Sequence, residues 1–396
     1  MSKDRSNPIV IVSSARTPMG SFQGTLSDAK ATDLGATAIK AAIERSGVDS
    51  KAVDEVIMGC ILIAGLGQGP ARQAMRQAGL PDSTGAVTIN KLCGSGLKAI
   101  MQAADAISAG SFDIAVAGGM ESMTNAPYLL PNARKGYRMG HKETLDHMFT
   151  DGLEDAETGK LMGQFAQEMA DKKGYSREQM DDFAIESLNR ALTAINDGHF
   201  KDEITPVTIT TRKGDISVDT DEAPALANAE RIPKLRAAFA KDGTITAANA
   251  SSISDGAAAV VLMSQANAAA KNLPYQAKII ASASHSQHPS EFTIAPIGAI
   301  KKVLDKAGWE APEVDLWEIN EAFAMVTMAA MESFNIDHSR VNIEGGACAL
   351  GHPVGCSGAR IVVTLINSLK RTGGKKGIAS LCIGGGEAVA IAIEID

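Results

Sequence analysis

The sequence predicts an α/β protein made of two like halves with a loop-rich insertion between them. Three observations predict it: short apolar runs alternate with helical patterns, the same series of runs returns late in the chain, and the stretch between them is poor in strand-like segments.

The first series contains PIVIV (8–12), VDEVIMGC (53–60), AVTIN (86–90) and DIAVAGG (113–119), with an Ala/Ile-rich helical pattern over 33–46. The second contains AKIIASA (277–283), VDLWEIN (314–320), VNIEGG (341–346) and GIASLCIGGG (377–386). The two series match in order: VDEVIMG resembles VDLWEIN, CGSGLKAIMQAADAISAG resembles GCSGARIVVTLINSLKRTG, and AVAGGMES resembles LCIGGGEA. An N-terminal α/β half is therefore expected over 1–122, completed by about 251–273, and a C-terminal half over 274–396. Residues 123–250, rich in Met, Gly and charged side chains with helical patches at 164–173 and 177–197, read as an inserted loop domain that carries substrate contacts.

Bulk composition narrows the function classes. A chain of 396 residues that is 45% hydrophobic and 21% charged buries a large core and divides into more than one unit. Its formal net charge of -8 excludes a broad nucleic-acid surface, which needs clustered Lys and Arg over a wide face. The five cysteines, Cys60, Cys93, Cys348, Cys356 and Cys382, have no regular pairing spacing and are expected as free thiols in a reducing compartment. MSKDRSNPIVIV lacks a signal-length apolar segment, no long uncharged run suggests a membrane span, and the terminal IAIEID is no targeting address, so the expected location is cytoplasmic.

AVTIN, KLCGSG and LKAIMQAADAIS read as strand, tight turn and helix, with Cys93 at the turn. The amides at the helix start favour a thiolate, and the glycines admit a substrate, which suits a nucleophile. A buried structural cysteine fits this segment equally well. Gly94-Ser95-Gly96-Leu97-Lys98-Ala99 also matches a dinucleotide fingerprint, but the next strand ends in Gly118-Gly119 where that motif wants an acidic residue.

In the second half, GGACALGHPVGCSGARIVV sets His352 in the matching turn, so packing of the two halves is expected to face a cysteine with a histidine, the basis of thiol activation. A packed histidine is the plain alternative. Cys348, His352 and Cys356 have a metal-like spacing, but Gly351, Pro353 and Gly355 forbid the helix that would align them, and a fourth ligand is missing. Cys382 precedes three glycines whose amides suit an oxyanion, making it a candidate second thiol. Asn320 and Glu321 end a strand, where they either point into a crevice or cap the next helix. Cys60 reads as buried and inert.

Together, INKLCGSG (89–96), NEAFA (320–324), GGACALGHPVGCSGAR (345–360) and LCIGGG (381–386) closely resemble the thiolase family, in its acetyl-CoA acetyltransferase branch. ARTPMGSFQG (15–24), AGGMESM (117–123) and NASSISDGAAA (249–259) extend the resemblance over nearly the whole chain. It implies a duplicated α/β thiolase fold, layered α-β-α-β-α, with a loop domain shaping the coenzyme A pocket, and a homo-oligomer, dimer or tetramer. The resemblance implies reversible Claisen condensation of two acetyl-CoA to acetoacetyl-CoA and CoA. Cys93 would carry the acyl group, His352 would accept its proton, Cys382 would take the α-proton and Asn320 would position a water beside the enolate. The amides of Cys93 and Gly384 would hold the acyl-enzyme oxygen. No metal or redox cofactor is implied, and coenzyme A is a substrate and product. Ser251 would contact the pantetheine arm, with Met162, Phe239, Ala247 and Phe323 around the acyl group. Arg134, Lys135 and Arg138, with His141 and Lys142, form the densest basic cluster of the insertion: either a solvated loop or, by resemblance, an arm reaching across a tetramer toward coenzyme A phosphates.

The sequence departs from the family where Leu161 precedes Met162-Gly163 in place of a frequent His, and in APALANAERIP (223–233), which lacks an early arginine. A degradative 3-ketoacyl-CoA thiolase is the rival enzyme, and a non-catalytic acyl-CoA-binding protein is the rival of another class. Ketosynthases generally lack the cysteine that stands at Cys382.

Overall fold

A computed structural model describes residues 7–396; residues 1–6, part of the stretch read for a targeting segment, lie outside the described residues. The first half contributes strands β1 (Ile9–Arg16), β2 (Glu55–Gly59), β3 (Gly85–Ile89) and β4 (Ile114–Ser122), with helices α1 (Ala31–Ser46), α2 (Pro70–Gln77) and α3 (Ser95–Ser108). The insertion carries α4 (Met162–Lys173) and α5 (Arg177–Asp197), after which β5 (Ser254–Ser264) returns to the first sheet. The second half supplies β6 (Ala277–Ser286), α6 (Ala295–Ala307), β7 (Leu316–Ile319), α7 (Ala324–Phe334), α8 (Ser357–Thr372), β8 (Lys376–Ile383) and β9 (Glu387–Glu394).

The strand order is β7-β8-β9-β6-β1-β5-β4-β2-β3. Among the described residues its two halves pair only at Val10 with Lys278 and Ile11 with Ala277, so they act as two sheets. In each, a late strand slots antiparallel into the middle: β5 between β1 and β4, and β9 between β6 and β8. Even an irregularity repeats, with β1 bulging between Ile11 and Ser13 and β6 between Ile279 and Ala281.

Three apolar layers separate these elements. α1 and α2 cover the outer face of the first sheet, α6 packs on the outer face of the second, and α3 and α8 lie between the sheets. The order is thus α-β-α-β-α. Because both faces of β4 and β8 are covered, they read as unbroken apolar runs rather than alternating ones. The central helices touch through glycines: a Cβ on Gly96 would lie 2.8 Å from the Ala359 nitrogen, and one on Gly358 would lie 2.4 Å from the Leu97 nitrogen. The contact is reciprocal, as a twofold relation between the halves requires.

One part of the expected duplication is corrected. The sequence overlay of AVAGGMES on LCIGGGEA matches Ala115 with Leu381, but the ladders pair Glu55 with Ala115 and Leu316 with Gly377, so Ala115 corresponds to Gly377, four residues earlier. The turns agree: the Asp54 carboxylate accepts from the Asp113 and Ile114 amides, and the Asp315 carboxylate accepts from Lys375 and Lys376. The double glycines matched by type, while strand pairing set the register.

The insertion is bolted to β1 by a buried charge cluster. The Arg16 Nε donates to Glu203 at 2.5 Å, while its Nη atoms grip Asp221 at 2.7 and 2.9 Å. Between 123 and 253 the only strands are the two-residue pair Tyr128–Leu129 with Leu145–Asp146 and the hairpin Val207–Thr211 with Gly214–Val218.

Candidate active site

The site is assembled where the two central helices begin. Lys91 to Ser95 form the turn that opens α3, closed by Gly94 N–H donating to Lys91 O at 3.0 Å and by Ser95 Oγ, which accepts from Lys91 N at 2.8 Å and donates to Leu92 O at 2.7 Å. Leu92 adopts a φ of 47°, a costly conformation for a γ-branched side chain that is held here by packing against both the central core and the pocket cluster. Lys91 pairs with Glu387 at 2.6 Å and so ties this turn to the start of β9.

Cys93 is partly buried, with the Gly384 N–H against its sulfur. Cys382, fully buried at the end of β8, lies close enough for Cys93 to disfavour its ionisation. The expectation that the helix start makes Cys93 a thiolate is corrected. Burial pushes its thiol up to about 11, and the Gly384 and Cys93 amides offset only part of that. Cys382 is pushed well up by burial and then by Cys93. Both cysteines rest as thiols.

His352 heads the second turn, buried, its N–H bonded to Ser252 O at 3.0 Å. Its Nδ1 meets Ser357 Oγ at 2.5 Å, and that hydroxyl donates onward to Pro353 O at 3.0 Å. Since the Ser357 proton is committed, Nδ1 carries the imidazole proton and Nε2 presents a lone pair. Nε2 is buried with no partner among the described residues, and burial followed by the Arg360 charge pulls the imidazole down to about 4, keeping it neutral. Asn320 completes the set: its side chain is buried with both amide atoms unpartnered among the described residues. It is not a helix cap, because α7 starts at Ala324 with Phe323 in the capping position. Glu321 is buried and structural, accepting from Ser187 Oγ, Asn342 Nδ2 and Cys348 N at 2.8, 2.8 and 3.0 Å. Unpaired buried polar atoms are costly, so such a pair marks a place built for a ligand.

Around Cys382 an apolar wall contains Met162, Phe239 and Phe323, with Phe239 edge-on to Phe323 at 6.2 Å. Met162 also faces Gly384, where a Cβ would lie 3.2 Å from its sulfur. The Ser251 N–H donates to Ala322 O at 3.0 Å, which places 251 beside the Phe323 loop, while Ala247 is exposed. Arg134, Lys135 and Arg138 are exposed on the loop between Tyr128–Leu129 and Leu145–Asp146, and none forms an ion pair or side-chain hydrogen bond among the described residues. Cys348 turns its sulfur toward Glu321 O and Cys356 is buried in the central core, so neither joins His352, and no group of three or more metal-ligating side chains occurs among the described residues.

Sequence reasoning missed two residues. Ser357, which sets the imidazole tautomer, was given no role of its own. Glu121 stands next to last in β4, after a run free of polar side chains from Ile114 to Met120, and a lone carboxylate in a wholly buried strand was the available signal. Burial raises its carboxyl to about 7 against the opposing pull of the Leu62, Ile61 and Gly355 amides.

Two thiols, a neutral imidazole with a free nitrogen and an unpaired carboxamide, set at the head of a helix pair between two sheets, define an enzyme that passes acyl groups through a cysteine thioester. Family models describe the matching segments as Thiolase, N-terminal domain, over residues 9–266, and Thiolase, C-terminal domain, over 273–395. The acetyl-CoA acetyltransferase of Pseudomonas aeruginosa is 50% identical over 390 residues, covering 98% of this chain and 99% of that one. That of Cupriavidus necator is 50% identical over 388 residues, again 98% and 99%. Among solved structures, the Bacillus anthracis acetyl-CoA acetyltransferase superposes with a TM-score of 0.96 at 41% identity, covering 98% of both chains. A thiolase from Ascaris suum in complex with coenzyme A superposes with a TM-score of 0.93 at 43% identity, covering 98% of this chain and 99% of that one. The chain belongs to the thiolase family, and its catalytic class is acyltransferase.

Proposed function

We propose that the chain is an acetyl-CoA C-acetyltransferase that reversibly condenses two acetyl-CoA to acetoacetyl-CoA and CoA. The observation that carries the mechanism is the pair of vacant polar groups, His352 Nε2 and the Asn320 amide, at the head of the same core as the paired thiols. Full-length relatives of that activity support the substrate class.

The resting protonation states dictate the order of steps. Cys93 attacks the acetyl-CoA carbonyl as its proton passes to His352 Nε2, and the oxyanion is met by N–H groups including that of Gly384. The departing CoA thiolate takes the Cys382 proton, leaving acetyl-Cys93 and a Cys382 thiolate. That thiolate removes the α-proton of a second acetyl-CoA, while His352 and a water held by Asn320 stabilise the enolate. The enolate carbon attacks the acetyl-Cys93 carbonyl, the C–S bond breaks, and Cys93 regains its proton from His352. Each residue ends as it began, so the cycle needs no further proton donor.

Met162, Phe239 and Phe323 close the acyl end with bulk, which favours short chains over the longer substrates of degradative relatives. The proposal extends to a tetramer in the cytoplasm. Its support is the exposed, unpaired basic loop carrying Arg134, Lys135 and Arg138, suited to coenzyme A phosphates of a neighbour, together with five unpaired thiols.

Incubation with acetyl-CoA should add one acetyl group on Cys93, seen by peptide mass, and Cys93→Ser should remove it; an unlabelled wild type sinks the mechanism. Cys382→Ala should slow condensation far more than acetylation of Cys93. Thiolysis rates over a chain-length series should peak at the four-carbon substrate.

A further inference from the structure

The turns heading the two central helices share one frame, INKLCGSG at 89–96 and GHPVGCSG at 351–358, so Cys93 answers to Gly355 and His352 to Asn90. Their hydrogen bonds repeat as well: Gly94 N donates to Lys91 O at 3.0 Å and Cys356 N to Pro353 O at 3.0 Å. The strand register established above sets Gly59 opposite Asn320 and Met120 opposite Cys382. At the mirrored positions the reacting side chains do not recur: Gly355 stands for Cys93, Asn90 for His352, Gly59 for Asn320 and Met120 for Cys382.

The same register sets Glu121 opposite Ile383. Ile383 is an apolar wedge on the living turn, with its Cδ1 2.3 Å from where a Gly94 Cβ would stand. Glu121 wedges the other turn one residue earlier in the shared frame, its Oε2 2.6 Å from where a Gly355 Cβ would stand. But it also binds what it touches. The buried carboxylate accepts from Gly355 N at 2.9 Å, and from Ile61 N and Leu62 N at 3.1 Å each. It therefore stitches the His352 turn of the second half to the loop after β2 of the first. Val354, inside that turn, packs in the same cluster as Cys93.

We propose that Glu121, lodged at the position that mirrors Ile383 of the active site, is a positioning residue that holds the 352–355 turn against the first half and so places His352 Nε2 for Cys93. The inference rests on the reading of His352 as the acceptor of the Cys93 proton. A buried carboxyl shared by three amides at 2.9–3.1 Å joins the half that owns the nucleophile to the half that owns the base. The turn that carries Cys93 has its own lock in the packed, left-handed Leu92, whereas Val354 at the matching place has ordinary backbone.

Glu121→Gln keeps the shape but turns an NH2 toward amide donors. Four proteins test it: wild type, Glu121→Gln, His352→Ala and the double variant, each assayed for acetylation of Cys93 by acetyl-CoA and for alkylation of Cys93 by iodoacetamide. Misplacement of the base predicts that Glu121→Gln slows acetylation roughly 10- to 100-fold, with KM for acetyl-CoA held within about threefold. In the His352→Ala background it adds less than about twofold, because the two residues act as one unit. Equal factors in both backgrounds, or no loss in the single variant, overturn the role of Glu121. Wild-type protein that is alkylated but never acetylated overturns the acyl-enzyme reading instead. Glu121→Asp, which keeps the charge and shortens the reach, provides the same contrast where Gln disrupts folding.

Discussion

Replacing Gly358 by Ala tests whether the central helix pair sets the spacing of the reacting groups. The added Cβ would stand 2.4 Å from the Leu97 nitrogen and 2.8 Å from the Leu97 Cβ, both on the opposite helix. Non-bonded carbon and nitrogen settle at about 3.5 Å, so the helices must part by roughly 1 Å. Overpacking of this kind costs about 1–3 kcal/mol, which lowers the thermal midpoint. The parting also separates the two turns, since Cys93 heads one helix and His352 the other. A misplacement of about 1 Å between reacting groups costs on the order of a hundredfold in rate. The assay pairs a thermal melt with single-turnover acetylation of Cys93 followed by mass. A variant that melts lower yet acetylates at the wild-type rate refutes the claim that this contact tunes the site. Gly96→Ala should behave the same way, its Cβ falling 2.8 Å from the Ala359 nitrogen.

Three further outcomes are expected. With the Cys93 thiol held up near 11, its iodoacetamide alkylation should still be accelerating at pH 9, and a plateau below pH 8 contradicts the resting-thiol state. His352 acts unprotonated and is pulled down to about 4, so the acid limb of Cys93 acetylation should fall below pH 5, whereas a limb centred near the ordinary 6.5 refutes the assignment. Arg16→Met leaves Glu203 and Asp221 buried without their cation, and denaturant unfolding should show a loss of about 3–5 kcal/mol, with an unchanged midpoint as the contrary result.

Much of the architecture was legible because duplicated halves write the same pattern twice. VDEVIMG and VDLWEIN became equivalent strands with equivalent Asp turns, since a buried parallel strand needs an apolar run and its neighbour's amides need a carboxylate. The register of β4 on β8 was not legible, because Gly-Gly recurs nearby and only the ladders decide between frames. The state of Cys93 was misjudged for a different reason. A helix start is visible in sequence, but the burial that outweighs it depends on Val354 and Ile253 arriving from distant segments. Glu121 was hidden in the same way: its partners are backbone amides around 61 and 355, and amides leave no trace in composition.

The strands that close each sheet have a consequence for how the chain is made. β5 sits in the middle of its sheet, yet it emerges only after the whole insertion, so β1 and β4 have no strand to bridge them until residues 254–264 have been synthesised. β9 repeats this in the second half, filling the centre of the second sheet with residues 387–394. Both sheets are thus keystone structures with long loops to close, which slows folding and leaves open edges for most of translation. Deleting residues 387–394 would therefore take out the middle of a sheet rather than an edge.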